Sequence, residues 1–123
     1  VLSIAGGVQV NRAPRAIHTA ADLPADSFAL TGVLLPDNPA VTDAGLKNLA
    51  GCRNLLALDL RNPKTSDAGL AHCGGGTGLE YLYLGGTAIT DAGLAQFAGC
   101  TGLKVLHLHR SRVTDAGLRR FQA

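Results

Sequence analysis

The sequence predicts one α/β domain built as a solenoid of four repeated units, each about 24 residues long. Two patterns that recur together support this prediction. A segment of the form T-D-A-G-L, with Ser in place of Thr in the second copy, returns at a constant interval, at 42–46, 66–70, 90–94 and 114–118. The pattern L-x-x-L-x-L precedes each copy. Chance does not place two linked patterns in the same order four times, so each unit is expected to contain one strand and one helix.

The L-x-x-L-x-L pattern predicts a short β-strand. Its last two apolar residues are two positions apart, so they point to one side of a strand while their neighbours point to the other. Because a single strand cannot bury its apolar side alone, we expect the four to stack in parallel with their leucines in internal columns. The apolar positions are Leu30, Val33 and Leu35, then Leu55, Leu58 and Leu60, then Leu79, Leu82 and Leu84, and finally Leu103, Leu106 and Leu108.

The T-D-A-G-L segment predicts the start of a helix. Its hydroxyl residue can cap the first free amides, and the Asp that follows places a negative charge at the positive end of the helix. The helix that follows Leu70 is expected to be short, since three glycines occur at 74–76. The glycine inside each segment either lets neighbouring units approach closely or marks a loose helical turn. The hydroxyl residues are Thr42, Ser66, Thr90 and Thr114, and the glycines are Gly45, Gly69, Gly93 and Gly117.

The spacing divides the chain into a capping segment, residues 1–29, and four repeats over 30–123 that begin near residues 30, 55, 79 and 103. In the capping segment, residues 1–4 and 8–10 read as two short strands around a glycine-rich turn, which predicts a β-hairpin. At the other end, no capping pattern follows Leu118 and Phe121. That end is therefore expected to meet either further repeats or another chain.

Composition excludes several classes of function. The net charge of +2 is too small to indicate binding to nucleic acid or to an anionic membrane. No apolar stretch approaches the ~18–20 residues that cross a bilayer. The phosphate-binding, zinc-protease and serine-hydrolase motifs are missing, so neither an enzyme nor a cofactor is expected. Three cysteines do not suggest a disulfide framework, which favours a cytoplasmic protein with buried thiols.

Taken together, these motifs resemble the leucine-rich-repeat family, in particular its cysteine-containing type and the related GALA-type bacterial repeats. Cys52-x-x-Leu55 and Cys100-x-x-Leu103 match the C-x-x-L signature, whereas Gly76 departs from it. The resemblance implies a right-handed α/β solenoid with a concave parallel sheet and convex helices. It also implies that the protein works through contact with other proteins, often beside further modules. The family's backbone-bonding loop position holds Asn38, Pro63, Thr87 and Ser111, and Pro63 is expected to interrupt that ladder.

The outward strand positions supply a candidate partner-binding surface. Exposed Tyr and Arg are favoured in protein interfaces, although any one-sided sheet also needs polar outward residues. Two of these residues, His107 and His109, could bind zinc together with a third ligand, although histidines on a solvated strand face are commoner. The set is Asp59, Arg61, Glu80, Tyr81, Tyr83, Lys104, His107 and His109.

The sequence therefore predicts a protein-interaction module with an unidentified protein partner. A self-associating scaffold joined through the C-terminal repeat is the alternative. Positive charge concentrates near the C-terminus, which is either a solvated end or a contact for an acidic partner or for a following domain. The residues that carry this charge are Lys104, Arg110, Arg112, Arg119 and Arg120.

Overall fold

Strands and helical segments alternate along the computed structural model, which describes residues 7–10, 30–38, 40–49, 53–73 and 78–122. The strands are β1 (Gly7–Val10), β2 (Leu30–Leu34), β3 (Ala57–Asp59), β4 (Tyr81–Tyr83) and β5 (Val105–His107). The helical segments are a 3-10 helix (Gly45–Leu49), α1 (Asp67–Leu70), α2 (Asp91–Ala95) and α3 (Asp115–Gln122). From β2 onwards each strand is followed by one helical segment, which is the order that the repeats predict. The helix of the second unit, α1, has four residues, and the glycines at 74–76 that predicted a short helix lie outside the described residues.

The five strands form one sheet in chain order. From β2 to β5 the strands are parallel, and the register places Leu58 beside Leu82 and Leu82 beside Leu106. Val33 pairs with Leu58. The sequence interval between them is one residue longer than the interval between Leu58 and Leu82 or between Leu82 and Leu106. The sequence predicted both the parallel stacking and the longer first unit, because equivalent apolar residues recur at those intervals.

The edge of the sheet at the first unit is occupied by β1, which runs antiparallel to β2. An unpaired edge strand exposes a row of backbone amides and carbonyls, and β1 covers that row on β2. The predicted hairpin would join residues 1–4 to residues 8–10. Its first strand lies outside the described residues, as does the rest of the predicted capping segment from residue 11 to residue 29.

The core is a set of stacked apolar layers between the sheet and the helical segments. Leu58, Leu60, Leu82 and Leu84 have no exposed surface, and the helical leucines Leu46 and Leu70 lie in the same cluster. The predicted internal leucine columns are therefore present. In the fourth unit the equivalent side chains are only partly buried, although they pack against the same core; they are Leu103, Leu106 and Leu108.

Consecutive units are joined on the helix side by a row of hydrogen bonds that we call the Asp–Ser/Thr ladder. Each rung consists of one Asp and the hydroxyl residue 23 positions later: Asp43 with Ser66, Asp67 with Thr90, and Asp91 with Thr114. The backbone amides donate to the Asp Oδ1 atoms at 3.0, 2.8 and 2.7 Å, respectively. The Thr90 and Thr114 hydroxyls donate to Oδ2 at 2.6 Å, and the Ser66 hydroxyl donates to the same atom of Asp43.

The ladder gives these aspartates a second role. Asp67, Asp91 and Asp115 are the first residues of α1, α2 and α3, where a negative charge is favourable as predicted, whereas Asp43 lies two residues before the 3-10 helix. The carboxylates of the three ladder aspartates, however, accept hydrogen bonds from the following unit. Capping by the hydroxyl residue is present in three units, in which Thr42, Thr90 and Thr114 accept from backbone amides at 3.0–3.3 Å. It is absent at Ser66, so that prediction was wrong for the second unit.

Each rung also explains why the next unit has glycine in its helix. A Cβ atom built on Gly69 would overlap the Asp43 carboxylate, and the same holds for Gly93 with Asp67 and for Gly117 with Asp91. Close approach between units therefore requires glycine at these three positions, which decides between the two alternatives that the sequence left open. Gly45 differs, because among the described residues its Cβ would meet only the Thr42 hydroxyl, at 3.3 Å.

The turns after the strands are held by bonds that differ between units. Thr87 and Ser111 donate their hydroxyls to carbonyls of their own turns, at 2.7 and 2.6 Å, and not to the neighbouring unit as the resemblance implied. Pro63 occupies the equivalent position in the second unit. The residue before it, Asn62, donates its side-chain amide to the Asn38 carbonyl of the first unit. The connection between those two units is thus made beside Pro63 and is not lost.

One buried polar residue departs from the apolar pattern of the repeat. Thr65 takes the place of Val41, Ile89 and Val113, it is 1% exposed, and its hydroxyl has no hydrogen-bond partner among the described residues.

Cys73 and Cys100 are buried thiols, whereas Cys52 lies outside the described residues. Burial raises the pKa of the Cys100 thiol. In the described part of the chain, none of the helices has the length and apolar character that crossing a membrane requires.

Candidate functional site

The candidate site is the face of β3, β4 and β5 that points away from the helices, which we call the open face. The parallel register brings equivalent outward residues side by side across the sheet. Asp59 pairs with Tyr83 and Tyr83 with His107, while Tyr81 lies between Ala57 and Val105 in the adjacent row. Side chains that are separated by one repeat in the sequence therefore form continuous rows on this face, as the spacing predicted.

At one end of the first row, Asp59 holds Arg61 in place. The guanidinium donates through Nε to Asp59 Oδ1 at 2.9 Å and through a terminal nitrogen to Oδ2 at 2.6 Å. This two-point contact fixes the orientation of the planar guanidinium. Hydrogen bonding to the carboxylate is also the main reason that the pKa of Arg61 is raised. The Asp59 side chain is 8% exposed and that of Arg61 is 40% exposed, so the arginine is the member of the pair that meets solvent.

From Arg61 the row continues through aromatic rings. The guanidinium carbon lies 5.8 Å from the centre of the Tyr83 ring, within the range of a cation–π contact. Tyr83 meets His107 edge to face, with ring centres 4.9 Å apart and planes at 89°. His107 and His109 follow with ring centres 6.3 Å apart. Arg61, Tyr83, His107 and His109 thus form one connected row, which we call the aromatic–basic row.

The aromatic–basic row also contacts the backbone, at Gly85. A Cβ atom at Gly85 would overlap the His109 ring, so the imidazole lies directly over that glycine. His107 and His109 are exposed, while Tyr83 is half-buried between its two neighbours. Contacts within the row and with the backbone therefore hold these side chains in place, and a preorganised surface of this kind loses less conformational entropy if it binds.

The remaining predicted residues lie at the start of the strands. Lys104 and Glu80 form an ion pair at 3.1 Å, and the Lys104 backbone amide donates to the Glu80 carbonyl at 2.8 Å. Tyr81 is half-buried in the row next to Tyr83. An exposed ion pair of this kind contributes little stability.

The eight predicted site residues thus lie in β3, β4 and β5, just before these strands or just after their ends, but they are not equivalent. Asp59 is buried beneath Arg61, so its role on this surface is to orient the guanidinium. The sequence placed Asp59 and Arg61 on one face, and it gave no sign that they would bond to each other. It also gave no sign that the glycine at position 85 makes room for an imidazole ring.

Among the described residues, no group of three or more His, Cys, Asp or Glu side chains could hold a metal ion together. His107 and His109 form only a pair. The open face carries cations, imidazoles and phenols on a backbone of parallel strands.

Comparison with known proteins identifies one of the four units. Residues 77–98 match the family model of a leucine-rich repeat. This stretch contains β4 with Tyr81 and Tyr83, and it continues through α2. The match supports assignment of the chain to the leucine-rich-repeat family. Repeats of this family generally mediate protein–protein interaction and are typically binding modules without catalytic activity. No curated protein matches the chain.

Proposed function

We propose that the chain is a protein-interaction module that presents the open face of its sheet to a partner protein. The observation that carries this proposal is the aromatic–basic row. It places one arginine, one tyrosine and two histidines in contact on a rigid sheet, and Tyr and Arg are the residues that most often dominate interface energetics.

The polar residues that any one-sided sheet needs do not require such an arrangement. Lysines or glutamates pointing separately into solvent would keep the face hydrated equally well. Here Asp59 fixes Arg61, Arg61 contacts Tyr83, and Tyr83 contacts His107. This continuity supports recognition by a partner over simple solvation.

Several finer features belong to the same proposal. The solenoid is right-handed with the open face concave, and it is of the cysteine-containing, GALA-like type, which the buried Cys100 three residues before Leu103 supports. The module works within a larger multidomain protein in the cytoplasm, where the thiols of Cys73 and Cys100 would stay reduced. Its role is binding and not catalysis.

Site-specific photo-cross-linking tests the proposal. A photoreactive amino acid is placed at position 83 on the open face and, as the matched control, at position 92, which is exposed at the start of α2. In a lysate of the source organism, we expect a cross-linked protein from position 83 that is absent from position 92. That protein is then identified and purified for a binding assay.

In the binding assay, Tyr83→Ala should weaken the purified partner's affinity by roughly tenfold or more, about 1.4 kcal/mol or above. His107→Ala should weaken it less, and Ala92→Ser should leave it unchanged. Equal cross-linking from positions 83 and 92, or an affinity that neither Tyr83→Ala nor His107→Ala changes, would remove the open face as the binding site.

A self-associating scaffold is a second candidate, favoured by the state of the fourth unit. Leu118 and Phe121 are half-buried, whereas their counterparts Leu94 and Phe97 have no exposed surface. A second molecule packed there would complete the last apolar layer. Light scattering over a range of concentrations should then show oligomers that Leu118→Asp dissociates. A monomer at all concentrations would exclude this candidate.

A further inference from the structure

Charge is unevenly distributed over the open face. Towards the second and third units, the carboxylates of Asp59 and Glu80 are each matched by a cation of the same face, Arg61 and Lys104. At β5 and the turn that follows it, the basic side chains His107, His109, Arg110 and Arg112 are all exposed. Within the described part of the chain, none of these four forms an ion pair with a carboxylate. The end of the open face at β5 and the turn that follows it therefore carry basic side chains without a carboxylate partner among the described residues; we call this region the C-terminal end of the open face.

Arg110 stands where the turn itself does not favour an arginine. The second residue after the last strand leucine has a left-handed backbone in three units: φ is 50° at Asp37, 73° at Gly86 and 57° at Arg110. Gly, Asn and Asp adopt this conformation most readily, whereas a long side chain is disfavoured there. The turn would be more stable with Asn or Gly at position 110, so its geometry gives no reason for the guanidinium.

The neighbouring imidazoles share this location and are already held in place. His109 lies over Gly85, and His107 rests edge-on against Tyr83. Arg110 directly follows His109 in the chain and is exposed in the turn after β5. A ligand with negative charge would meet several fixed hydrogen-bond donors and at least one permanent cation there.

We propose that the C-terminal end of the open face binds an acidic segment of the partner protein, with carboxylates of Asp or Glu directed at Arg110 and at the two histidines. This inference rests on the proposed function, and it adds the chemistry of the partner. Charge complementarity selects an acidic segment, because Asp59 and Glu80 already have cations, while among the described residues the basic side chains at the C-terminal end have no carboxylate partner.

Fluorescence anisotropy with the full chain and synthetic peptides tests the proposal. The probe is a labelled peptide with alternating Glu and Gly, and its control carries Gln in place of every Glu. At low ionic strength we expect the Glu peptide to bind at least roughly tenfold more tightly than the Gln peptide, and added salt should weaken that binding. Equal binding of the two peptides would overturn the proposal.

Two variants locate the interaction. Arg110→Asn should weaken binding of the Glu peptide by roughly fivefold while the melting temperature is unchanged or higher, because Asn suits the left-handed turn. Arg119→Gln removes the same charge from an exposed position of α3 and should change the affinity by less than about twofold. Equal losses from both variants would show attraction by net charge alone. Tighter binding of single-stranded oligothymidylate than of the Glu peptide would show a general polyanion surface. Either result contradicts the proposal.

The same variants separate this inference from the proposed function. If the purified partner identified from position 83 loses affinity with Tyr83→Ala but not with Arg110→Asn, the open face remains the binding site and the acidic segment is ruled out. If neither substitution affects the partner, the proposed function fails as well.

Discussion

The helix side and the open face belong to the same units, yet they differ in how strictly the chain repeats itself. On the helix side, Asp and Gly recur in all four units, and each Asp from the first to the third contacts the unit that follows it. On the open face, equivalent positions hold Asp59, Tyr83 and His107. The residues of the Asp–Ser/Thr ladder and the glycines beside it are therefore nearly uniform, and the outward strand residues vary. The uniform side stabilises the fold, and the varied side is free to acquire specificity.

The largest effect should come from filling the space that a ladder carboxylate occupies. Gly93→Ala puts a methyl group into the Asp67 side chain, and we expect it to lower the free energy of unfolding by about 3 kcal/mol, despite the better helix propensity of Ala. The matched control is Gly45→Ala, which meets only the Thr42 hydroxyl among the described residues and should change stability by less than about 0.5 kcal/mol. Urea unfolding measures both variants, and equal losses would show that the ladder is not what requires glycine.

Removing one rung should have the next largest effect. Asp67→Ala deletes the acceptor of the Thr90 amide and hydroxyl, and we expect a loss of about 2 kcal/mol, since charged acceptors form the stronger hydrogen bonds. Asp115→Ala is the control, because within the described residues Asp115 accepts no bond from a further unit. Chemical denaturation would contradict this account if the two substitutions were equally costly.

A change in the opposite direction is expected in the core. Thr65→Val replaces an unpartnered buried hydroxyl with the side chain type found at positions 41 and 113, and stability should rise by about 1 kcal/mol. Thr87→Val, in contrast, removes a hydroxyl that donates to the Leu84 carbonyl and should lower stability by about 1 kcal/mol. Thermal unfolding of the pair tests this, and a destabilised Thr65→Val variant would show that the Thr65 hydroxyl is satisfied.

The smallest effect concerns pH. Hydrogen bonds from Thr114 lower the pKa of Asp91 below its ordinary value. A carboxylate whose folded-state pKa is depressed adds stability above the unfolded-state pKa of about 3.9 and loses it as the pH falls through the folded-state pKa. Asp91→Asn should therefore reduce the drop in melting temperature on acidification below about pH 4. Asp115→Asn is the matched control, because within the described residues the Asp115 carboxylate accepts no hydrogen bond from a further unit. Identical pH profiles for both variants would contradict the assignment.

The parts of the fold that follow from local periodicity were predictable from the sequence. The leucine columns, the parallel stacking and the longer first unit follow from spacing alone, and the threonine caps follow from the preference of hydroxyl residues for helix starts. The Asp–Ser/Thr ladder could not be derived in this way. Its bonds join residues 23 positions apart, and they depend on how far one unit is offset from the next.

The candidate site, too, was predictable from the sequence only where local periodicity determines the structure. Placing Tyr83 and His107 on one face required only the two-residue alternation of a strand. The burial of Asp59 beneath Arg61 depends on a choice of side-chain conformation that alternation does not determine. Thr65 is different again, because comparison with Val41, Ile89 and Val113 would have revealed it as a polar residue in an apolar position.

The claim that the helix side stabilises the fold while the open face binds the partner is tested most directly by two measurements on Tyr83→Ala. These are its affinity for the purified partner and its free energy of unfolding. The account predicts roughly a tenfold or greater loss of affinity with a stability change below about 1 kcal/mol. Unchanged affinity, or an affinity loss no larger than unfolding of the variant explains, would contradict the claim that the open face is the surface on which this protein recognises its partner.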